Sequence, residues 1–215
     1  MAAMKEIHKA MVGFPRQLRW DDFGRVDQSP QPPMEAMTAS KYEITQSAYT
    51  SGTAANDNRG SYFVDPLKVT VSFVASNSWA VPWARTNPRL LAHEQGHFDI
   101  TGLIARDFTR RLLDLRVYGH ELIDANNLSA ANNALDKKVA QVRKRMHALW
   151  EFLQGGEDDL YDTDTLHGTN EAGQREWSAL LHHVKLLNVG FEEALIARGF
   201  IRILSDPQGG PPTYA

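Results

Sequence analysis

One short segment of this 215-residue chain gathers side chains that bind metals and move protons: His93-Glu94-Gln95-Gly96-His97. On an α-helix, at about 100° per residue, His97 lies one turn beyond His93 and about 40° around the axis, so both imidazoles can reach one ion at about 2.0–2.1 Å. Glu94 projects about 100° from His93. A carboxylate there touches the water beside an ion rather than the ion itself, and can accept its proton as general base. The spacing is the His-Glu-x-x-His pattern of zinc hydrolases, which makes Zn²⁺ the expected cofactor. The competing reading is a pair of core histidines, but Ile100 and Ile104 continue the histidine face, and burying two imidazoles there would otherwise serve nothing.

Two ligands do not complete a catalytic site, since zinc of that kind takes three protein groups and leaves a fourth position open. The extended pattern with a third histidine is excluded, because Leu103 stands where that histidine belongs. Glu121 and Glu151 are candidates from a later part of the chain, Glu151 the better because it follows His147 by one turn within a second helix. A further candidate is Tyr161-Asp162-Thr163-Asp164-Thr165-Leu166-His167-Gly168, where His167 and two aspartates coincide. That segment also reads as a solvated acidic loop with Asp and Thr in turn and cap positions. Within it Tyr161 could donate to a developing oxyanion. Asp99 lies about 200° from His97 and cannot share its ion, so a hydrogen bond to a neighbouring loop or Arg is expected of it.

The elements that must position these residues are legible from periodicity. Leu67, Val69, Val71, Phe73 and Ala75 alternate with Lys68, Thr70 and Ser72, which predicts a strand with one core face. Asn87-Pro88 predicts a helix start, with helical spacing from Leu90 through Val117 and Gly119 at its end. Leu135, Val139, Val142, Met146, Leu149 and Leu153 predict a second helix from about 127–129 to Gln154, closed by Gly155-Gly156. Thr169 to Leu187 and Phe191 to Arg198 predict two more. Glu157 to Asp164 reads as irregular, the first third as strands and loops with a turn-rich connection at 52–60, and 206–215 as a disordered tail. Residues 1–205 form one domain.

Composition narrows the function classes. Lys+Arg 23 against Asp+Glu 26 gives a net charge of −3, so no global basic field recruits nucleic acid or an anionic membrane. The basic run Lys137, Lys138, Arg143, Lys144 and Arg145 reads as a solvated helix face. Cysteine is absent, which removes thiolate ligands and nucleophiles. Adjacent His182 and His183 project about 100° apart and do not chelate one ion together. Trp79, Trp83 and Trp177 read as core before they read as cleft. No apolar run has the length of a membrane span, and the first twenty or so residues lack the apolar core of a signal peptide. A cytoplasmic location is therefore expected if this is the whole chain, and a periplasmic or secreted one if it is a trimmed piece.

Trp20-Asp21-Asp22-Phe23, Ser78-Trp79, Leu91 through Ile100, Ala105-Arg106, Tyr161-Asp162, Thr165, His167-Gly168, Gln174 and Trp177 together resemble a bacterial family of predicted secreted zinc-dependent proteases. The resemblance spans Leu18 to Trp177. It implies an α+β, zincin-like metallopeptidase domain with an N-terminal mixed sheet and C-terminal helices. It further implies His93 and His97 as ligands, Glu94 as base, His167 as third ligand, and a peptide or protein as substrate. Asp162, Asp164 and Glu151 remain as supporting residues or alternative ligands, and Asp164 stands where related sequences often carry glutamate. The same residues would serve a metal-dependent hydrolase of non-peptide amides, or a binding module that keeps the scaffold without turnover. A monomer is assumed.

Overall fold

The helix that carries the histidines starts where the sequence places its cap. The Asn87 side chain accepts from the backbone N–H of Arg89 at 3.0 Å and Leu90 at 3.2 Å, while Pro88 occupies the first turn, where no intrahelical donor is needed. In the computed structural model, which describes residues 4–46, 49–52, 61–65, 67–118, 128–156, 159–204 and 212–215, the elements follow in chain order. They are α1 (Met4–Ala10), β1 (Met11–Val12), β2 (Gly24–Arg25), β3 (Ala36–Met37), β4 (Ser40–Gln46), β5 (Tyr49–Gly52), β6 (Ser61–Val64), β7 (Leu67–Phe73) and β8 (Trp79–Ala80). Then come α2 (Pro88–Asp114), β9 (Val117–Tyr118), α3 (Leu128–Gln154), α4 (Leu160–Thr165), α5 (Glu171–Leu187), α6 (Phe191–Ala197), β10 (Ile203–Leu204) and β11 (Thr213–Tyr214).

The class is α+β. Strand β7 is central to a mixed sheet, parallel to β1 and antiparallel to β4, with Tyr42 opposite Val71 and Ile44 opposite Val69. Leu67, Val69 and Val71 are buried on its inner face, as the alternation predicts. That face packs on α2, whose residues from Phe98 to Thr109 are all buried. Such burial makes α2 the axis of the domain, with the sheet on one side and α3 and α5 on others. Each fully enclosed Leu, Ile or Phe on it contributes about 1.5–3 kcal/mol. Two small sheets, β2-β8-β3 and β5-β6-β9, flank this layer. No helix among the described residues is long and apolar enough to cross a membrane.

The far end of α2 is fastened by charge. Asp107 Oδ2 accepts from the backbone N–H of Phe191 at 2.6 Å and Glu192 at 3.1 Å, anchoring the first turn of α6. Arg106 donates to the carbonyls of Val184 and Val189, which satisfies the end of α5. Glu192, 1% exposed, gathers Arg111, Arg145 and the Tyr214 hydroxyl, so one buried carboxylate joins α2, α3 and β11 to α6.

Several expectations change here. Helix α2 ends at Asp114 rather than near Val117, because Val117 and Tyr118 leave it to pair with Tyr62 and Ser61 of β6. Gly119, Glu121 and most of the 52–60 connection lie outside the described residues. The first third also contains a helix, α1, with Ile7 buried. The acidic segment before Thr165 is helical as α4, capped by Asp159, whose side chain accepts from the backbone N–H of Asp162. Of the expected disordered tail, 206–211 lie outside the described residues. Thr213 and Tyr214 instead form β11 against β10, held by the Tyr214 ring on Phe152 and its hydroxyl on Glu192.

Candidate metal centre

Helix α2 presents His93 and His97 from successive turns, and α4 brings Asp162 to meet them. Asp162 Oδ1 lies 3.0 Å from His93 Nε2 and 3.2 Å from His97 Nε2, and the two Nε2 atoms are 3.2 Å apart. All three side chains are largely shielded, with side-chain exposures of 3%, 15% and 12%. Donors at about 2.0–2.1 Å from a tetrahedral ion stand about 3.3–3.4 Å from one another, so these separations match an ion-sized space. Asp162 Oδ1 is fully buried and has, among the described residues, no hydrogen-bond partner beyond its contacts with these two imidazoles, so it is placed to take a cation between them. The residues present therefore fit a divalent metal.

Charge is concentrated to match. Burial alone would raise the Asp162 carboxyl, but the two imidazoles overcome it and hold that group well below the usual carboxylate range. Burial alone would lower His97, but the hydrogen bond and charge of Asp162, with Glu94 and Asp159 behind it, raise it to about 9. Those imidazole protons and a metal ion compete for the same three atoms.

The surrounding residues orient the ligands. His93 Nδ1 faces Gln174 Oε1 and Thr165 Oγ1, each at 3.3 Å, which fixes the ring with Nε2 toward Asp162. Tyr161 stacks on His93 with ring centroids 5.0 Å apart, and its hydroxyl donates to the His93 carbonyl at 3.1 Å. Gln154 belongs to the same shell: with its amide turned to satisfy both ends, Nε2 donates to the His97 carbonyl at 2.9 Å.

Two glycines make this approach possible. A Cβ on Gly96 would stand 1.9 Å from the Tyr161 hydroxyl oxygen, and one on Gly168 would stand 2.9 Å from His93 Cβ. Gly168 also takes a φ of 81°, which few other residues adopt. A cleft of about 640 Å³ opens over the cluster, lined on one wall by Gln31 to Thr38 and on the other by Gln154 to Gly156 and Asp159, with His93, Glu94 and His97 at its floor. Glu94 is 2% exposed, and its Oε2 is buried with no hydrogen-bond partner.

No protein-family model, curated protein or solved structure matches the chain.

The resemblance implied His167 as third ligand, with Asp162 among the alternatives; among the described residues, the group with ligand atoms close enough to hold one metal ion is His93, His97 and Asp162. Leu166, His167 and Gly168 have φ values of 46°, 51° and 81°, and this left-handed turn carries the His167 ring outward to 52% side-chain exposure. His167 Nδ1 then lies 3.3 Å from Asp162 Oδ2, beside the cluster and on the cleft wall. Glu151 is half exposed on α3, 3.6 Å from His147, and takes no part. Asp164 accepts from the Trp177 indole at 2.9 Å and holds α4 to α5.

Tyr161 is not placed for an oxyanion, because its hydroxyl is committed to the His93 carbonyl and to Gln174 Nε2, and it does not line the cleft. Burial pushes its phenol up, so it remains a neutral donor. Asp99 has the structural role expected of it, but toward Lys185 at 2.5 Å and Gln95 rather than an arginine. Trp79 and Trp177 are core, whereas Trp83 is 57% exposed and donates to Glu35 at 2.9 Å. Reasoning from residue types left Gly96, Thr165, Gln174 and Asp159 without roles. Their signal lay in their closeness to the histidine motif and to Asp162, but the contacts that explain them join residues far apart in the chain.

Proposed function

We propose that the protein is a zinc-dependent metallopeptidase of zincin-like architecture. The observation that carries this reading is the convergence of His93, His97 and Asp162, with ligand atoms all within 4.8 Å of one another, beside a buried Glu94 oxygen that has no partner, in one open cleft. His93 and His97 through Nε2 and Asp162 through Oδ1 would hold the ion. Bound there, Zn²⁺ would supply Lewis acidity toward a carbonyl and lower the pKa of water.

The chain's own groups do the rest. Glu94 Oε2 takes a proton from water and returns it to the leaving amine, work that a buried carboxylate without a competing donor is free to do. Thr165 and Gln174 keep His93 in the tautomer that leaves Nε2 unprotonated.

A peptide is favoured over a small amide by the shape of the cleft. Strand β3 pairs with β8 on one side only among the described residues, and Glu35 to Thr38 line the cleft, so an edge strand borders the ion site. Extended peptides are recognised at such edges through main-chain hydrogen bonds.

The test compares zinc-loaded parent protein with Glu94→Gln on an unbiased peptide library. The expected result is cleavage by the parent alone, with about one Zn²⁺ retained per chain in both. Cleavage by both proteins, or by neither while zinc is bound, contradicts the proposal.

A further inference from the structure

The cleft's charge is unbalanced in one direction. Among the described residues that line it stand four carboxylates, Glu35, Glu94, Asp159 and Asp162, and no lysine or arginine. Asp162 and Glu94 together match the two charges of a divalent ion, and the groups that face the other two carboxylates are the imidazoles of His97 and His167 for Asp159 and the Trp83 indole for Glu35. Neither forms an ion pair with a lysine or arginine among the described residues. Asp159 is 6% exposed and spends one oxygen on the cap of α4, at 2.8 Å from the Asp162 backbone N–H. Glu35 is held by the Trp83 indole N–H at 2.9 Å.

Asp159 lies buried in the cleft lining whereas Glu35 is exposed on it, so a cation that enters gains most from the shielded charge of Asp159. Trp83, which adjoins Glu35 without itself lining the cleft, offers an exposed π-face beside that carboxylate. The buried, unpartnered Glu94 oxygen in the same cleft marks the space as one that receives a ligand.

We infer that the cleft selects polypeptide segments carrying a positively charged side chain, arginine above all, with Glu35 and Asp159 as the residues that determine this specificity. The inference rests on the peptidase reading and names its substrate class. The ion and Glu94 act on the peptide bond, and the two outer carboxylates decide which segment is presented to them. Segments rich in aspartate or glutamate are repelled by the same field.

The test uses the Zn²⁺-loaded Glu94→Gln protein, which binds without turnover, and fluorescent peptides identical except for arginine, citrulline or glutamate at one position scanned along the chain. Citrulline keeps the shape of arginine and removes its charge. At the best position, arginine should bind about tenfold or more tighter than citrulline, and the difference should shrink as salt is raised. Adding Glu35→Gln and Asp159→Asn, which preserve the indole bond and the helix cap, should abolish the preference when both proteins are compared at saturating zinc, while the circular dichroism spectrum stays as before. Equal binding of arginine and citrulline peptides overturns the inference, as does a preference that survives both substitutions. Metal-dependent cleavage by the parent without charge preference overturns it while leaving the peptidase reading intact. Absence of binding by any peptide to zinc-loaded protein overturns both.

Discussion

Substituting Gly96 with alanine tests whether the close approach of α4 to α2 is what assembles the cluster. The new methyl carbon would stand 1.9 Å from the Tyr161 hydroxyl oxygen and 2.5 Å from Cζ, so the ring must leave its place between His93 and Trp177. Overpacking of this kind costs about 1–3 kcal/mol. Loss of the hydroxyl's bonds to the His93 carbonyl and from Gln174 adds about 1 kcal/mol each. Alanine in mid-helix returns about 1 kcal/mol. The net is a destabilisation of about 2–4 kcal/mol, which in a chain of this size lowers Tm by roughly 5–15 °C. Because Tyr161 adjoins Asp162, zinc affinity should fall as well, by about 10–100-fold.

Calorimetry and a chelator competition would measure both effects. Gly156→Ala is the control, since its Cβ meets nothing within 4 Å. Adding Tyr161→Phe to Gly96→Ala should restore only part of the loss, because the ring carbon still obstructs. A Gly96→Ala protein as stable as the parent with unchanged zinc affinity would refute the reasoning.

Asp162→Asn should weaken zinc binding at least 100-fold, having lost the charged ligand, whereas His167→Ala should cost tenfold or less; chelator competition gives both values, and the reverse order would restore His167 as ligand. Burial raises the Asp107 carboxyl to about 6, so between pH 4 and 6 the unfolded chain has released a proton that the folded one still holds. Stability from this group is therefore present at the acid end and lost as pH rises through that window. Asp107→Asn should flatten the decline when unfolding midpoints are measured against pH, and an unaltered slope would show that Asp107 does not titrate there.

The histidine helix was readable because its signals are local: a cap, a proline at the first turn and an uninterrupted apolar periodicity from Leu90 onward. Strand β7 was readable for the same reason. Helix α4 was not, since six residues give too short a window for periodicity and four of its neighbours and members are aspartates, which favour turns by propensity. It is helical because Asp159 caps it and because Tyr161 and Thr165 are buried against His93, a contact made across more than sixty positions of chain.

The choice between Asp162 and His167 turned on backbone sign. Both residue types bind zinc, and the left-handed turn from Leu166 to Gly168, which no periodicity announces, leaves His167 half exposed beside Asp162 and outside the His93, His97 and Asp162 group. Tyr214 illustrates a different limit: a tail rich in glycine and proline reads as disordered, yet one aromatic ring with a buried carboxylate for its hydroxyl suffices to seat it.

The most direct measurement is anomalous diffraction at the zinc edge from crystals grown with Zn²⁺. A single strong peak should lie between His93 Nε2, His97 Nε2 and Asp162 Oδ1, with ligand distances of about 2.0–2.2 Å and Glu94 outside bonding range. No peak at that position, or a peak closed by four protein ligands, would contradict a catalytic zinc centre in this protein.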